Sequence, residues 1–158
     1  MSVKTQGTEV FVADTVTSSV ATLIKMACPT AVTGLGGAAD QIDDTCLDAL
    51  VDRSFARGLG NPGQVTIPFV LKPSAASHQA LFDLKDDGSA VEWCLALSDG
   101  TAQPTLDSND AIVAPASRTS FIFSGYVADI TIDIATNEVV RGTLLVQRRG
   151  AVTPTWKA

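Results

Sequence analysis

Phe121-Ile-Phe-Ser-Gly-Tyr-Val-Ala-Asp-Ile-Thr-Ile-Asp-Ile134, followed by Ala135-Thr-Asn-Glu138 and Val140-Arg-Gly-Thr-Leu-Leu-Val-Gln147, decides the fold class. Ile130, Ile132 and Ile134 alternate with Asp129, Thr131 and Asp133, and Gly142, Leu144 and Val146 alternate with Arg141, Thr143 and Gln147. Side chains that alternate with a period of two belong to a strand with one apolar face. Ala135–Glu138 reads as the turn between two such strands, so the stretch is a long antiparallel hairpin. Phe121, Phe123, Tyr126 and, further back, Trp93 read as its core aromatics.

Upstream the same pattern recurs. Val65, Ile67, Phe69 and Leu71 form a strand, and Pro68, which lacks an N–H, places it at an edge or in an irregular pairing. Val91, Trp93, Leu95 and Leu97 form another, ending at Asp99-Gly100. Between them, Ala76, Ala80, Leu81 and Leu84 are spaced for a helix over about 74–87, with Ser74 as N-cap and Gly88 as its stop. Glu9–Ala13 and Val20–Met26 read as strands joined by a turn at Thr15–Ser19. Thr101–Ser117 reads as a loop with little regular structure. Gly34–Gly63 is rich in Gly and Asp, with Ile42, Leu47, Leu50, Val51 and Phe55 scattered through it. It reads as an extended arm or long hairpin with a poor core of its own. The expected architecture is a mainly β, antiparallel sandwich or barrel-like domain over 1–158, with one helix and a protruding arm.

Composition narrows the function classes. The 158 residues fit one domain, and 46% hydrophobic content is far too apolar for disorder. A net charge of −6 with scattered Lys and Arg excludes a basic nucleic-acid stripe, so no specific nucleic-acid binding is expected. No stretch reaches the ~20 apolar residues of a membrane span, and no membrane partner is expected. Cys28, Cys46 and Cys94 match no metal or redox spacing and read as free thiols.

The chemical motifs dissolve on inspection. Gly34-Leu-Gly-Gly-Ala-Ala39 matches the dinucleotide fingerprint G-x-G-x-x-A by letter, but no strong strand precedes it and no βαβ pattern surrounds it. A flexible glycine turn is the better reading. Asp40, Asp43, Asp44, Asp48 and Asp52 lack the offsets of a Ca²⁺ loop and read as solvated or interface carboxylates. Arg53 and Arg57 suit carboxylates on a neighbouring molecule. His78, the sole histidine, reads as a surface or packing residue. Trp156 reads as an anchor for the C-terminal tail. No catalytic group, cofactor or metal is expected.

Thr33-Gly-Leu-Gly-Gly-Ala-Ala-Asp-Gln-Ile-Asp-Asp-Thr-Cys-Leu-Asp48 resembles the major tail tube proteins of long-tailed bacteriophages. So do Arg57-Gly-Leu-Gly-Asn-Pro-Gly-Gln-Val65, Ala76-Ser-His-Gln-Ala-Leu-Phe-Asp83, Ser124-Gly-Tyr-Val-Ala-Asp129 and Thr155-Trp-Lys157, in family order over nearly the whole chain. The resemblance implies a structural virion protein, made in the host cytoplasm, whose copies form hexameric rings. The rings stack into the conduit for genome ejection and meet other tail proteins at the tube ends. It implies that the arm reaches a neighbouring ring through Gly34, Gly36, Gly37, Asp40, Asp43, Asp44, Asp48, Asp52, Arg53 and Arg57. Some relatives carry a C-terminal immunoglobulin-like domain, which is not expected in this chain. Asp129 and Asp133 are candidate lumen carboxylates, past which DNA moves without specific binding. The rival readings are a ring-forming tube protein of a secretion or phage-derived injection machine, and a small nucleotide-binding enzyme.

Overall fold

The computed structural model describes residues 2–17 and 19–158. The hairpin is its spine. Strand β9 (Ser120–Asp133) pairs antiparallel with β10 (Arg141–Arg148), which continues onto β5 (Gln64–Val70). On its other side β9 pairs with β6 (Val91–Ala96), then β1 (Glu9–Asp14) and β2 (Thr22–Lys25). The order is β2-β1-β6-β9-β10-β5, with the short β11 (Thr153–Thr155) also on β9. In β9–β10 the register shifts between Leu145 and Val146, so Ala128 is the extra residue of a bulge.

The sheet is rolled until its margins meet. The Met26 N–H still donates to Val10 of β1 (2.8 Å), while Cys28, two residues on, already accepts the Val70 N–H of β5 (3.1 Å). Two residues span at most about 7 Å, so the margins must lie side by side. Cys28 makes the corner with a left-handed φ of 51°, and residues 29–33 then bridge to Phe69 and Thr66. On β5 the amides of Thr66 and Val70 both point to this seam, so the missing N–H of Pro68 falls there too. The edge position expected from Pro68 holds, and the seam covers that edge.

Inside lies one cluster: Val10 and Val12, Trp93 and Leu95, Phe123, Val127 and Ile130, Leu144 and Val146, and Val65, Ile67 and Phe69. The Trp93 indole N–H satisfies itself on the Gly125 carbonyl (3.1 Å) and the ring stacks on Phe123. Helix α1 (Ala76–Asp87) adds Leu81 and Leu84. It ends as expected on Gly88, whose N–H bonds to the Leu84 carbonyl. Its N-cap is Ala75 rather than Ser74, without a side-chain cap bond. Ser77 and His78 instead face inward and hold the corner. The Ala27 N–H donates to Ser77 Oγ (3.2 Å), and His78 Nε2 lies 2.7 Å from the Ala27 carbonyl. Because His78 Nδ1 accepts the Lys72 N–H (3.0 Å), Nε2 carries the proton. His78 is thus a buried packing group, against a ring of Phe69.

Three expectations change. The 101–117 segment contains a small hairpin, β7 (Thr105–Leu106) with β8 (Ile112–Val113), because Asp107 Oδ1 accepts the Asn109 and Ala111 amides and closes the turn. It covers the opposite face of the sheet, where Ile112 packs on Phe11, Ala13, Cys94 and Ala96. Tyr126 lies on the outer face and is exposed. The tail is anchored chiefly by β11 and by Lys157, whose N–H reaches Thr119, while Trp156 meets the Phe121 edge and stays 69% exposed.

Arg118, two residues before β9, is the polar hub. It is 1% exposed and donates to the carbonyls of Gly7, Ala96, Leu97 and Ala102 and to Glu9 Oε2 (2.7 Å). Glu9 also pairs with Lys25. Burial alone raises the Glu9 pKa, but the hydrogen bonds and charges of Lys25 and Arg118 outweigh it and hold the carboxyl below its ordinary value.

Arg118→Ala leaves four carbonyls without their donor and Glu9 with Lys25 alone, and should lower unfolding stability by about 3–5 kcal/mol in urea titration; a loss under ~1 kcal/mol would contradict the hub role. The depressed Glu9 pKa has its own sign. Its stabilisation is complete above the ordinary glutamate pKa of about 4.3 and disappears as pH falls through the lower folded value. Urea midpoints measured from pH 7 to 3 should therefore fall below about pH 4.3, and less steeply in Glu9→Gln; equal slopes would remove Glu9 from the account.

Candidate assembly surfaces

The arm leaves the body at the seam. After Thr33, residues 34–38 run to β3 (Ala39–Asp43), which pairs antiparallel with β4 (Phe55–Gly60) before the chain enters β5. The Asp44 N–H extends the ladder to Ser54, and Thr45 and Ser54 bond to each other twice, so the hairpin is closed well beyond its last strand pair. Asp43 caps the tip by accepting the Thr45 N–H (3.0 Å), and the Thr45 bonds lower its pKa. Among the described residues nothing apolar covers the tip of this hairpin. Leu47 and Leu50 are as exposed as in an extended chain (107% and 95%), with Val51 at 90% and Leu59 at 84%. A soluble monomer does not ordinarily display so many exposed apolar side chains on one hairpin.

The glycines expected to make a flexible turn in the arm form its packed root. Gly34 has φ +91°, and a Cβ there would stand 2.0 Å from the Gln64 carbonyl. The carbonyl of Gly36 accepts a bond from Arg148 Nη2, and a Cβ on Gly37 would meet the Asn61 carbonyl at 2.6 Å. Gly34 and Gly37 permit close passage of two backbones, and a strand, β3, follows where a dinucleotide fold requires a helix.

The expected site residues thus separate. Gly34, Gly36 and Gly37 lie at the root. Asp40 and Arg57 lie on the paired strands. Asp43, Asp44, Asp48, Asp52 and Arg53 lie toward the tip, all exposed. Asp129 sits beside the β9 bulge and pairs with Lys85 of α1 (3.2 Å), so its charge is balanced within the molecule. Asp133 is exposed near the far end of the hairpin, where Ile134 (79%) and Val139 (57%) form a second apolar patch. Sequence alternation groups Ile134 with the apolar face; β9 ends at Asp133, before the sheet can cover it. Cys28 and Cys46 are exposed, and burial pushes the Cys94 thiol up to about 11. Among the described residues no three His, Cys, Asp or Glu side chains gather to hold a metal ion, and no helix is long and apolar enough to cross a membrane.

The chain superposes over nearly its whole length on subunits of solved tubes. The chain superposes on a subunit of the SPP1 tail tube with a TM-score of 0.66 at 11% identity, covering 99% of this chain and 80% of that one. It superposes on a tail chain of a gene transfer agent particle with a TM-score of 0.63 at 15% identity, covering 94% and 95%. The fold is therefore that of tail tube subunits. Residues 1–158 match the family described as "Phage tail tube, TTP, lambda-like", and 152 residues are 34% identical to Structural protein 3 of Pseudomonas phage PAJU2, covering 94% of this chain and 90% of that protein. The chain belongs to the lambda-like phage tail tube family: it is a structural protein of the virion tail.

Proposed function

We propose that copies of this chain join into rings of six and that the rings stack, through the arms, into the tube by which the genome leaves. The observation that carries this reading is the exposure of Leu47, Leu50, Val51 and Leu59 on a hairpin with no core of its own. Apolar surface of this kind is stabilised at about 25 cal/mol per Å² once a partner covers it. The family supplies the partner class, and the C6 symmetry of the gene transfer agent tail supports six copies per ring. The phage family also favours a virion tube over a bacterial secretion tube.

The reading is structural and not catalytic. Both ring nitrogens of His78 are occupied by backbone groups, and the Cys94 thiol is buried and reluctant to ionise. Other tail proteins meet the tube at its ends. DNA passes without specific contact, since each copy contributes a net charge of −6 and like charge repels phosphate. Of the two carboxylates proposed to face the lumen, Asp133 is the stronger, because Asp129 already has Lys85.

Replacing Leu47, Leu50 and Val51 together by Ser should change unfolding stability by less than about 0.5 kcal/mol each, as they touch no core. Tube yield by negative-stain microscopy should nevertheless drop at least tenfold; normal tubes would refute the arm's role. Asp133→Lys should slow DNA ejection from assembled virions while tube length stays normal, and an unchanged ejection rate would take Asp133 out of the lumen.

A further inference from the structure

The root of the arm holds positive charge that the fold leaves without a counter-charge. A cavity of about 360 Å³ opens there between the arm and the end of β10, lined by Arg57, Arg148 and Arg149 together with Leu35, Pro62 and Val152. Arg148 is 4% exposed. Its Nη2 bonds to the Gly36 carbonyl, but its Nε is buried with no hydrogen-bond partner. Among the described residues no carboxylate lies within ion-pair distance of any of the three. Arg118, similarly buried, shows the contrast: Glu9 faces it and four carbonyls surround it. A desolvated guanidinium without an opposing charge is costly, and its planar fork is suited to a carboxylate.

The geometry points to a carboxylate-receiving pocket around Arg148, filled by the arm tip of a second copy of this chain; the inference rests on the tube reading above and assigns its docking site. At the tip, Asp44, Asp48 and Asp52 have no hydrogen bond or ion pair to their carboxylates among the described residues. They stand beside Leu47, Leu50 and Val51, as the pocket's arginines stand beside Leu35, Pro62 and Val152. Charge and apolar surface therefore match on both sides. The hairpin prevents self-docking. Five ladder steps from Ala39 to Asp44 at ~3.3 Å hold the tip beyond Asp44 more than roughly 16 Å from the start of the arm, within reach of a neighbour.

The test uses full-length protein and keeps Arg148, whose loss risks the fold, in place. Arg57 and Arg149 are exposed, so the double reversal Arg57→Glu/Arg149→Glu should fold normally and form tubes at least tenfold more slowly by light scattering. Adding Asp48→Lys and Asp52→Lys to the same chain should restore growth. Growth of the double reversal at the wild-type rate, or no rescue by the lysines, would overturn the pocket while leaving the tube reading intact. In parallel, the ¹⁵N Nε–H signal of Arg148 is followed as a synthetic 39–60 peptide is added, against the same peptide with Asp44, Asp48 and Asp52 changed to Asn, and against inorganic phosphate. A saturable shift with the acidic peptide, at least tenfold weaker with the Asn peptide, supports the pocket even if no rings ever form, in which case the tube reading falls alone. Equal binding of both peptides, a response to phosphate only, or no response to any of the three would reject it.

Discussion

One stretch of chain, residues 22–33, serves both margins of the same sheet, and most of the structure follows from that constraint. A strand edge left open carries a row of unpaired amides and carbonyls and invites pairing with other molecules. Here Met26 is bonded to β1 and Cys28 to β5, so the sheet must roll until its ends touch. The turn between them needs a left-handed residue, which Cys28 provides, and a brace, which His78 and Ser77 provide from α1. The helix is therefore part of the closure as well as part of the core. Pro68 fits the same logic, since the seam asks for acceptors at that point and proline has only an acceptor to offer.

Closure divides the molecule into a finished part and an unfinished one. The body has a covered cluster of aromatic and aliphatic side chains, its buried indole bonded and its buried Arg118 paired. The arm begins where the seam ends, and it keeps its ladder but no core. Its shape is set by backbone bonds and by the Thr45–Ser54 and Asp43 tip contacts, so it can project without collapsing. That separation lets the apolar residues of the arm be chosen for a partner and not for the fold.

The legible parts of the sequence were those where a local period decides the outcome. The β9–β10 hairpin, the β5 alternation and the helix stopped at Gly88 all depend on near neighbours. The arm was legible through what it lacks, a repeating apolar face. What escaped depends on distant contacts. Arg118 resembles any exposed strand residue until Gly7, Leu97 and Ala102 converge on it from elements far apart in sequence. The inward turn of His78 depends on Ala27, fifty-one residues away. Ile134 has the right spacing for the core, but the sheet has ended before it, and periodicity cannot tell where a neighbour stops. The three arginines at the root lie apart in sequence, at 57 and at 148–149, and only the paired strands bring them together.

A chain that exposes leucines must still avoid sticking to itself in the wrong way, and the placement of charge addresses this. The tip alternates its apolar residues with carboxylates: Leu47 is followed by Asp48, and Val51 by Asp52. Two arms meeting tip to tip would bring these like charges together while gaining apolar contact, and the repulsion grows as water is excluded between them. An arm meeting a root encounters guanidinium groups instead. The same carboxylates therefore oppose one contact and favour the other, so selectivity between wrong and right pairing comes from charge even though the apolar surface supplies the affinity. Net acidity reinforces this, because free subunits at −6 each repel weakly at long range and associate only where short-range complementarity exceeds the general repulsion.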